Sequence, residues 1–163
     1  MLASQDAAVA ATRAGARFTD PHDATLRVLS QGLLDLGLLS KQQHGTADDV
    51  IAKKAYVAFY MHRTSHWLGM DVHDCGSYVE PGHMPPADTN APAAPPPGRI
   101  LHPGMVLTIE PGLYVRPSPE VPEGFWNIGI RIEDDSIVTA TGCELISRGV
   151  PVKADEIEAL MRG

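Results

Sequence analysis

The clearest strand signal in this chain is the segment Met105-Val106-Leu107-Thr108-Ile109-Glu110-Pro111-Gly112. Its β-branched and apolar residues predict a strand, and the Pro-Gly pair predicts a turn that ends it. A second strand signal follows at Ile128-Gly129-Ile130-Arg131-Ile132-Glu133, where apolar and polar residues alternate. Alternation of period two places the three isoleucines on one face, predicted to be the core, and Arg131 and Glu133 on the other.

A third strand is predicted at Ser136 to Thr139, after a turn at Asp134-Asp135. Outside this region helical signals dominate. A short helix is predicted within residues 1–19, running into Gly15, and a second one follows Asp20-Pro21 and closes at Gly37. A capping box beginning at Thr46 and an amphipathic segment from Lys153 to Met161 predict two more helices. The predicted class is therefore α+β, an antiparallel sheet with flanking helices.

Residues 76–98 contain seven prolines, which forbid both a helix and a central strand. This segment is predicted to be a surface loop inside a single unit that spans residues 1–163. The length of 163 residues suits one domain.

Composition excludes several classes of protein. The net charge of −7, without clustered cations, disfavours nucleic-acid binding. No apolar stretch is long enough for a transmembrane span, so no membrane association is expected. Two cysteines, Cys75 and Cys143, cannot form a disulfide framework, and no secretory signal is recognisable, so free thiols and a cytoplasmic location are expected.

Histidines and glutamates are the candidate chemical groups. His62 and His66 have the spacing of a helical zinc motif, but Arg63 stands where that motif needs its glutamate, and Thr64 and Ser65 disfavour a helix. One imidazole with Glu110 and Glu133 would instead suit Mn, Fe, Co or Zn. A surface pair of Arg131 with Glu133 and a rim position for Glu110 is an equally good interpretation of these residues alone.

The remaining histidines have no recognisable partners in the sequence. They fall in predicted turns or in the Pro-rich segment and are expected to be solvated: His22, His44, His83 and His102.

Three ordered motifs resemble one known family. They are His62 to Asp74, Arg99 to Tyr114 and Gly129 to Asp135, supported by the C-terminal Glu156 to Met161. Together they closely resemble the Xaa-Pro aminopeptidases (aminopeptidase P) of the pita-bread metallopeptidases. The resemblance covers nearly the whole chain and implies a pita-bread fold, of which this chain would be the C-terminal part of the catalytic domain.

The resemblance also implies roles for individual residues. His66, Glu110 and Glu133 match three of five protein ligands of a dinuclear site, usually for Mn, with Glu133 bridging and Glu110 also accepting a proton. His62 and His73 match residues that line the substrate pocket. Arg131 and Tyr114 match residues that orient the ligands. The implied reaction is hydrolysis of the N-terminal Xaa-Pro bond of a peptide with proline at its second position.

The other two ligands of the family are aspartates eleven residues apart, and no such pair occurs in this chain. With only two ligand carboxylates, we expect at most one tightly bound ion and little peptidase activity from the chain alone. A partial pita-bread domain should expose an apolar face, so we expect a homo-oligomer or a complementary N-terminal half as partner. A non-catalytic peptide-binding or interaction module, or an inactive fragment, remains the alternative.

Overall fold

A computed structural model describes residues 1–83 and 95–163 of the chain. Within this part, helices precede strands and one helix closes the chain, so the predicted α+β class is confirmed. The helices are α1 (Leu2–Ala11), α2 (Asp20–Asp35), α3 (Lys41–His44), α4 (Ala47–Ala52) and α5 (Ala154–Met161). The strands are β1 (Leu68–Gly69), β2 (Val72–His73), β3 (Val106–Ile109), β4 (Gly112–Tyr114), β5 (Gly129–Arg131), β6 (Asp134–Val138) and β7 (Cys143–Leu145).

The helix predictions differ from the structure mainly at their ends. Helix α1 ends at Ala11, earlier than predicted, because the chain turns to extended backbone at Thr12. Helix α2 begins with Pro21 in its first turn, where its missing N–H costs nothing, and ends before Gly37 as predicted. The capping box at Thr46 is present, with the hydroxyl of Thr46 accepting from the backbone N–H of Asp49.

Antiparallel pairing joins the strands into small sheets, in the order β3-β6-β7, β4-β5 and β1-β2. Strand β3 is covered on both faces, because Leu107, Thr108 and Ile109 are all buried. Leu107 packs in a core cluster with Phe18, Trp67, Leu101 and Val138. A second, larger cluster joins the C-terminal half of α2 to Val115 and Val121, so this helix packs against the segment that follows β4.

Two strand predictions differ from the structure in ways that affect the site. Strand β3 ends at Ile109, before Pro111-Gly112 as predicted, but Gly112 begins β4 instead of lying in a turn. The isoleucine face is not the core, because Ile128 and Ile130 are 38% and 41% exposed. Period-two alternation correctly separates the two faces of a strand but does not establish which face another element covers.

The predicted turn at Asp134-Asp135 is also wrong. Both residues lie inside β6, and Asp134 is only 2% exposed. Its carboxylate accepts hydrogen bonds from Gln5 Nε2 of α1 and Ser147 Oγ, each at 2.9 Å, and from Arg148 Nε at 2.9 Å. These distant donors satisfy a buried charge that the local sequence suggested would face solvent.

The described parts of the Pro-rich segment contain an isolated bridge between Val79 and Gly98. The rest of the predicted loop, residues 84–94, lies outside the described residues. Among the helices of residues 1–83 and 95–163, none has the length and apolar character needed to cross a membrane.

Candidate metal centre

Glu110 and Glu133 lie opposite each other in a gap between two strand ladders. Strand β3 pairs with β6 and β4 pairs with β5 in one common register, with Ile109 facing Asp134 and Gly112 facing Arg131. Continuing that register through the gap places Glu110 against Glu133. Inside the gap, the N–H of Ile132 donates to the Pro111 carbonyl at 3.4 Å. The regular strand pairing is thus interrupted where the two carboxylates meet.

His66 joins them from a segment that runs beside β3. The Thr108 N–H donates to the His66 carbonyl at 3.0 Å, and the Glu110 N–H donates to the Thr64 carbonyl at 2.7 Å. The His66 N–H in turn donates to Thr108 Oγ1 at 3.1 Å. His62 and His66 lie in no helix, so the rejection of the helical zinc motif is confirmed.

The hydrogen bonds of the His66 ring fix its tautomer. Nδ1 is 2.9 Å from the Trp67 carbonyl, which can only accept, so Nδ1 carries the proton. When Nδ1 alone is protonated, the Nε2 lone pair faces Glu110 Oε1, 3.2 Å away. Two acceptors at this distance require a proton or a cation between them. A metal-binding histidine that donates its other N–H to a backbone carbonyl is a common arrangement.

One nitrogen and two carboxylate oxygens therefore converge. Ligand atoms of His66, Glu110 and Glu133 all lie within 4.8 Å of one another. The His66 and Glu110 side chains are 9% and 13% exposed, whereas Glu133 is 41% exposed, so the cluster opens on one side. This donor set fits Mn, Fe, Co or Zn.

Neighbouring side chains hold the carboxylates. Thr108 Oγ1 donates to Glu110 Oε1 at 3.1 Å. Arg131 places Nη1 3.9 Å from Glu110 Oε2 and Nε 3.8 Å from Glu133 Oε2. Burial, followed by repulsion from Glu110, raises the pKa of Glu133. Arg131 therefore contacts both carboxylates, rather than Glu133 alone as the surface-pair interpretation required.

The two other predicted histidines flank this cluster. The His73 ring stacks on His66 with centroids 3.8 Å apart and an angle of 14°. His62 Nδ1 donates to the Arg63 carbonyl at 2.8 Å, and its Nε2 lies 2.9 Å from Tyr114 Oη. A cavity of about 390 Å³ lies beside the cluster. Its lining includes His62, Arg63, His66, His73, Glu110 and Arg131.

His22 is a correction to the sequence prediction. It was expected to be solvated but is half-buried on α2, with Nδ1 3.0 Å from Thr64 Oγ1, which also lies 2.7 Å from Tyr60 Oη. Burial, helped by Arg63 and His62, lowers the pKa of His22 to about 4. No local motif signals this contact, since it joins residues 42 positions apart.

The remaining histidines and the two cysteines lie outside the candidate metal centre. His83 and His102 are exposed as expected, whereas His44 is half-buried and lies 3.1 Å from the Ser40 carbonyl. Cys75 and Cys143 are both free thiols, as predicted.

Comparison with known proteins gives a family match and close relatives. The model of metallopeptidase family M24 matches residues 1–140. The Xaa-Pro aminopeptidase of Escherichia coli is 42% identical over 161 residues, which are 99% of this chain and 32% of that protein. Xaa-Pro aminopeptidase 1 of Streptomyces coelicolor is 40% identical, over 97% of this chain and 29% of its own length. The chain thus spans about a third of the length of the curated relatives it matches.

Solved structures of aminopeptidases have a fold similar to that of this chain. Aminopeptidase PepP of Pseudomonas aeruginosa superposes with a TM-score of 0.84 at 44% identity, over 99% of this chain and 33% of that one. Aminopeptidase P from E. coli with the inhibitor Pro-Leu gives 0.81 at 42% identity, over 98% and 32%. The described fold is therefore a part of the pita-bread fold, as the sequence motifs indicated.

Proposed function

The chain belongs to metallopeptidase family M24, and from this membership and the geometry of the site we propose that it takes part in metal-dependent hydrolysis of N-terminal Xaa-Pro bonds. His66, Glu110 and Glu133 are the proposed ligands of a divalent cation, with Mn²⁺ as the preferred ion. The observation that carries this proposal is the convergence of one imidazole and two opposed carboxylates at the ladder gap.

A bound cation would explain how these three side chains can lie so close together. It would take the Nε2 lone pair of His66 and oxygens of both glutamates, which otherwise repel one another in a partly desolvated gap. When bound, such an ion lowers the pKa of a coordinated water towards about 7. Glu110 is the proposed proton acceptor, because it is the better buried carboxylate and lies beside that position.

The surrounding side chains have proposed supporting roles. His62 and His73 line the cavity and would contact the peptide. Tyr114 fixes the orientation of His62 through its hydroxyl, and Arg131 holds the two glutamate carboxylates. The proposed substrate is a peptide with proline at the second position, since the relatives are named Xaa-Pro aminopeptidases.

Metal binding is the first test. We expect the chain alone to bind at most one Mn²⁺ tightly, because no aspartate pair of the family's spacing accompanies the two glutamates in these 163 residues. Calorimetric titration and elemental analysis after dialysis would measure the stoichiometry. His66→Ala and Glu110→Gln should each weaken binding strongly, whereas the exposed His102→Ala should not. Two tightly bound ions per chain, or equal binding by all variants, would contradict the proposal.

Hydrolysis is the second test. An Xaa-Pro peptide should be cleaved slowly or not at all by the chain with Mn²⁺, and faster when the family's N-terminal catalytic half, with its two aspartates, is supplied separately. Cleavage should be lost in Glu110→Gln. If the chain binds the peptide but never hydrolyses it under either condition, the alternative of a non-catalytic peptide-binding module would replace the peptidase assignment.

A further inference from the structure

Arg63 stands in a position that the proposed machinery does not use. It follows His62 and lines the 390 Å³ cavity on which His66, His73 and Arg131 also open. Its backbone is held on both sides, because its carbonyl accepts from His62 Nδ1 and the next carbonyl, of Thr64, accepts from the Glu110 N–H. These hydrogen bonds hold the backbone of Arg63 at the edge of the cavity.

In the part of the chain that the structure describes, no nearby carboxylate neutralises the charge of Arg63. Among residues 1–83 and 95–163, no Asp or Glu oxygen lies within 4 Å of its guanidinium, although Arg131 in the same cavity contacts both Glu110 and Glu133. Arg63 is also solvent-exposed, so no buried partner accounts for it. The cavity therefore contains one guanidinium held by protein carboxylates and one available to a ligand.

We infer that Arg63 is a specificity-determining residue that binds a carboxylate of the peptide in this cavity. The inference rests on the proposed function, since it takes the cavity as the peptide site. A guanidinium binds carboxylates through two parallel N–H bonds, and planar bidentate recognition is the chemistry at which arginine exceeds lysine. The carboxylate is either the C-terminus of a short peptide or an acidic side chain following proline.

Four peptides separate these two sources. Pro-Leu and Pro-Leu amide differ only in the C-terminal carboxylate, and Pro-Glu amide and Pro-Gln amide differ only in a side-chain carboxylate. Binding of each to the full chain is measured by calorimetry, with and without Mn²⁺. We expect one carboxylate peptide to bind about tenfold more tightly than its neutral counterpart.

Variants assign this preference to Arg63. Arg63→Met should bring the two affinities of the favoured pair within about twofold, and Arg63→Lys should keep part of the preference because it retains the charge. The matched control is Arg116→Met, since Arg116 is also exposed, lacks a carboxylate within 4 Å in the described part of the chain, and lines a separate cavity. Urea unfolding should show that all three variants are as stable as the wild type.

Each outcome decides the question. A preference for the free acid that is lost in Arg63→Met supports recognition of the C-terminus, and a preference for the glutamyl peptide supports recognition of the side chain. A preference that survives Arg63→Met, or no preference at all, overturns the inference but not the peptidase proposal. A wild type that binds no Mn²⁺ yet prefers a carboxylate peptide would overturn the peptidase proposal alone, and one that binds none of the peptides would overturn the inference.

Discussion

The carboxylates of Glu110 and Glu133 are expected to destabilise the metal-free fold, although they are proposed ligands of the metal. They face each other at the ladder gap, and the Arg131 guanidinium lies 3.8–3.9 Å from both carboxylates. Like charges directly opposite on paired strands destabilise a sheet. A cation bound between them would convert this repulsion into attraction, so the metal-free chain should be less stable than one without the pair.

The first prediction follows from that balance. Glu133→Gln should raise the free energy of unfolding of the metal-free chain by about 0.5 kcal/mol, because it removes the repulsion at a partly exposed position. The same variant should lose most of the stabilisation by Mn²⁺, which for the wild type should approach about 2.7 kcal/mol at a hundredfold excess over Kd. Urea unfolding with and without Mn²⁺ measures both, with the exposed Glu144→Gln of β7 as the control. Equal metal stabilisation in both variants would argue against Glu133 as a ligand.

The second prediction concerns His22. Its pKa is lowered to about 4 in the folded chain, so between that value and about 6.5 the unfolded chain binds a proton that the folded chain does not. Stability therefore falls as pH is lowered through this range and is unaffected by His22 above it. Between pH 7 and pH 4, the free energy of unfolding should therefore fall by about 1–3 kcal/mol less in His22→Gln than in the wild type.

Denaturant unfolding at several pH values would measure this difference, with His102→Gln as a control because His102 is exposed. Parallel pH profiles for wild type and His22→Gln would show that His22 does not titrate in this way.

At the scale of elements, the sequence predicts what depends on neighbours along the chain. The β-rich run before Glu110, the capping box at Thr46 and the helix after Pro21 are all local signals, and the structure has each of them. The approach of Glu110, Glu133 and His66 is different, because it depends on a register shared by two ladders and on a segment paired beside β3. The residue types alone left this convergence and a surface pair equally open, and the family resemblance favoured the convergence.

The wrong predictions for Asp134-Asp135 and His22 also result from contacts between residues distant in the sequence. Asp134-Asp135 has the composition of a turn, but Asp134 is stabilised inside β6 by Gln5 and Arg148, which lie 129 and 14 positions away. Likewise, nothing near His22 predicts its contact with Thr64. Local composition reports the intrinsic preference of a residue, and partners that are distant in sequence can reverse it.

The third prediction tests the element contact made by Asp134. Its carboxylate and the Arg148 guanidinium tie α1, β6 and the segment after β7 together, and Arg148 Nη2 also donates to Gln5 Oε1 at 3.0 Å. Arg148→Met should destabilise the chain by about 2–4 kcal/mol, because it leaves a buried charge unpaired. Asp134→Asn in the same chain should recover part of that loss, since it removes the charge.

A double-mutant cycle from urea unfolding gives the coupling between these two residues, and Arg162→Met, which removes an exposed pair with Glu158, is the control. Additive effects of the two substitutions would mean that the buried pair is not energetically coupled.

For the whole molecule, the most informative surface is an apolar face beside the candidate metal centre. We define this apolar face by Ile130, Ile132, Val150, Ile157 and Leu160; Ile157 and Leu160 on α5 are 43% and 68% exposed. The first four residues line a cavity of about 530 Å³ that also includes Glu133. Contiguous exposed apolar surface of this kind usually marks a protein interface. The isoleucine face that the sequence assigned to the core is thus partly exposed beside this apolar face.

The fourth prediction is that the isolated chain associates through this apolar face. Sedimentation velocity should show association that increases with protein concentration, and an apolar dye should bind the monomer at low concentration. Ile157→Ser combined with Leu160→Ser should reduce both signals, because the substitutions remove apolar area from an exposed helix face without touching the core. Ile146→Ser is the matched control, since Ile146 is also half-exposed but lies outside the apolar face. A wild-type chain that remains monomeric at high concentration and binds no dye would show that this face needs no partner.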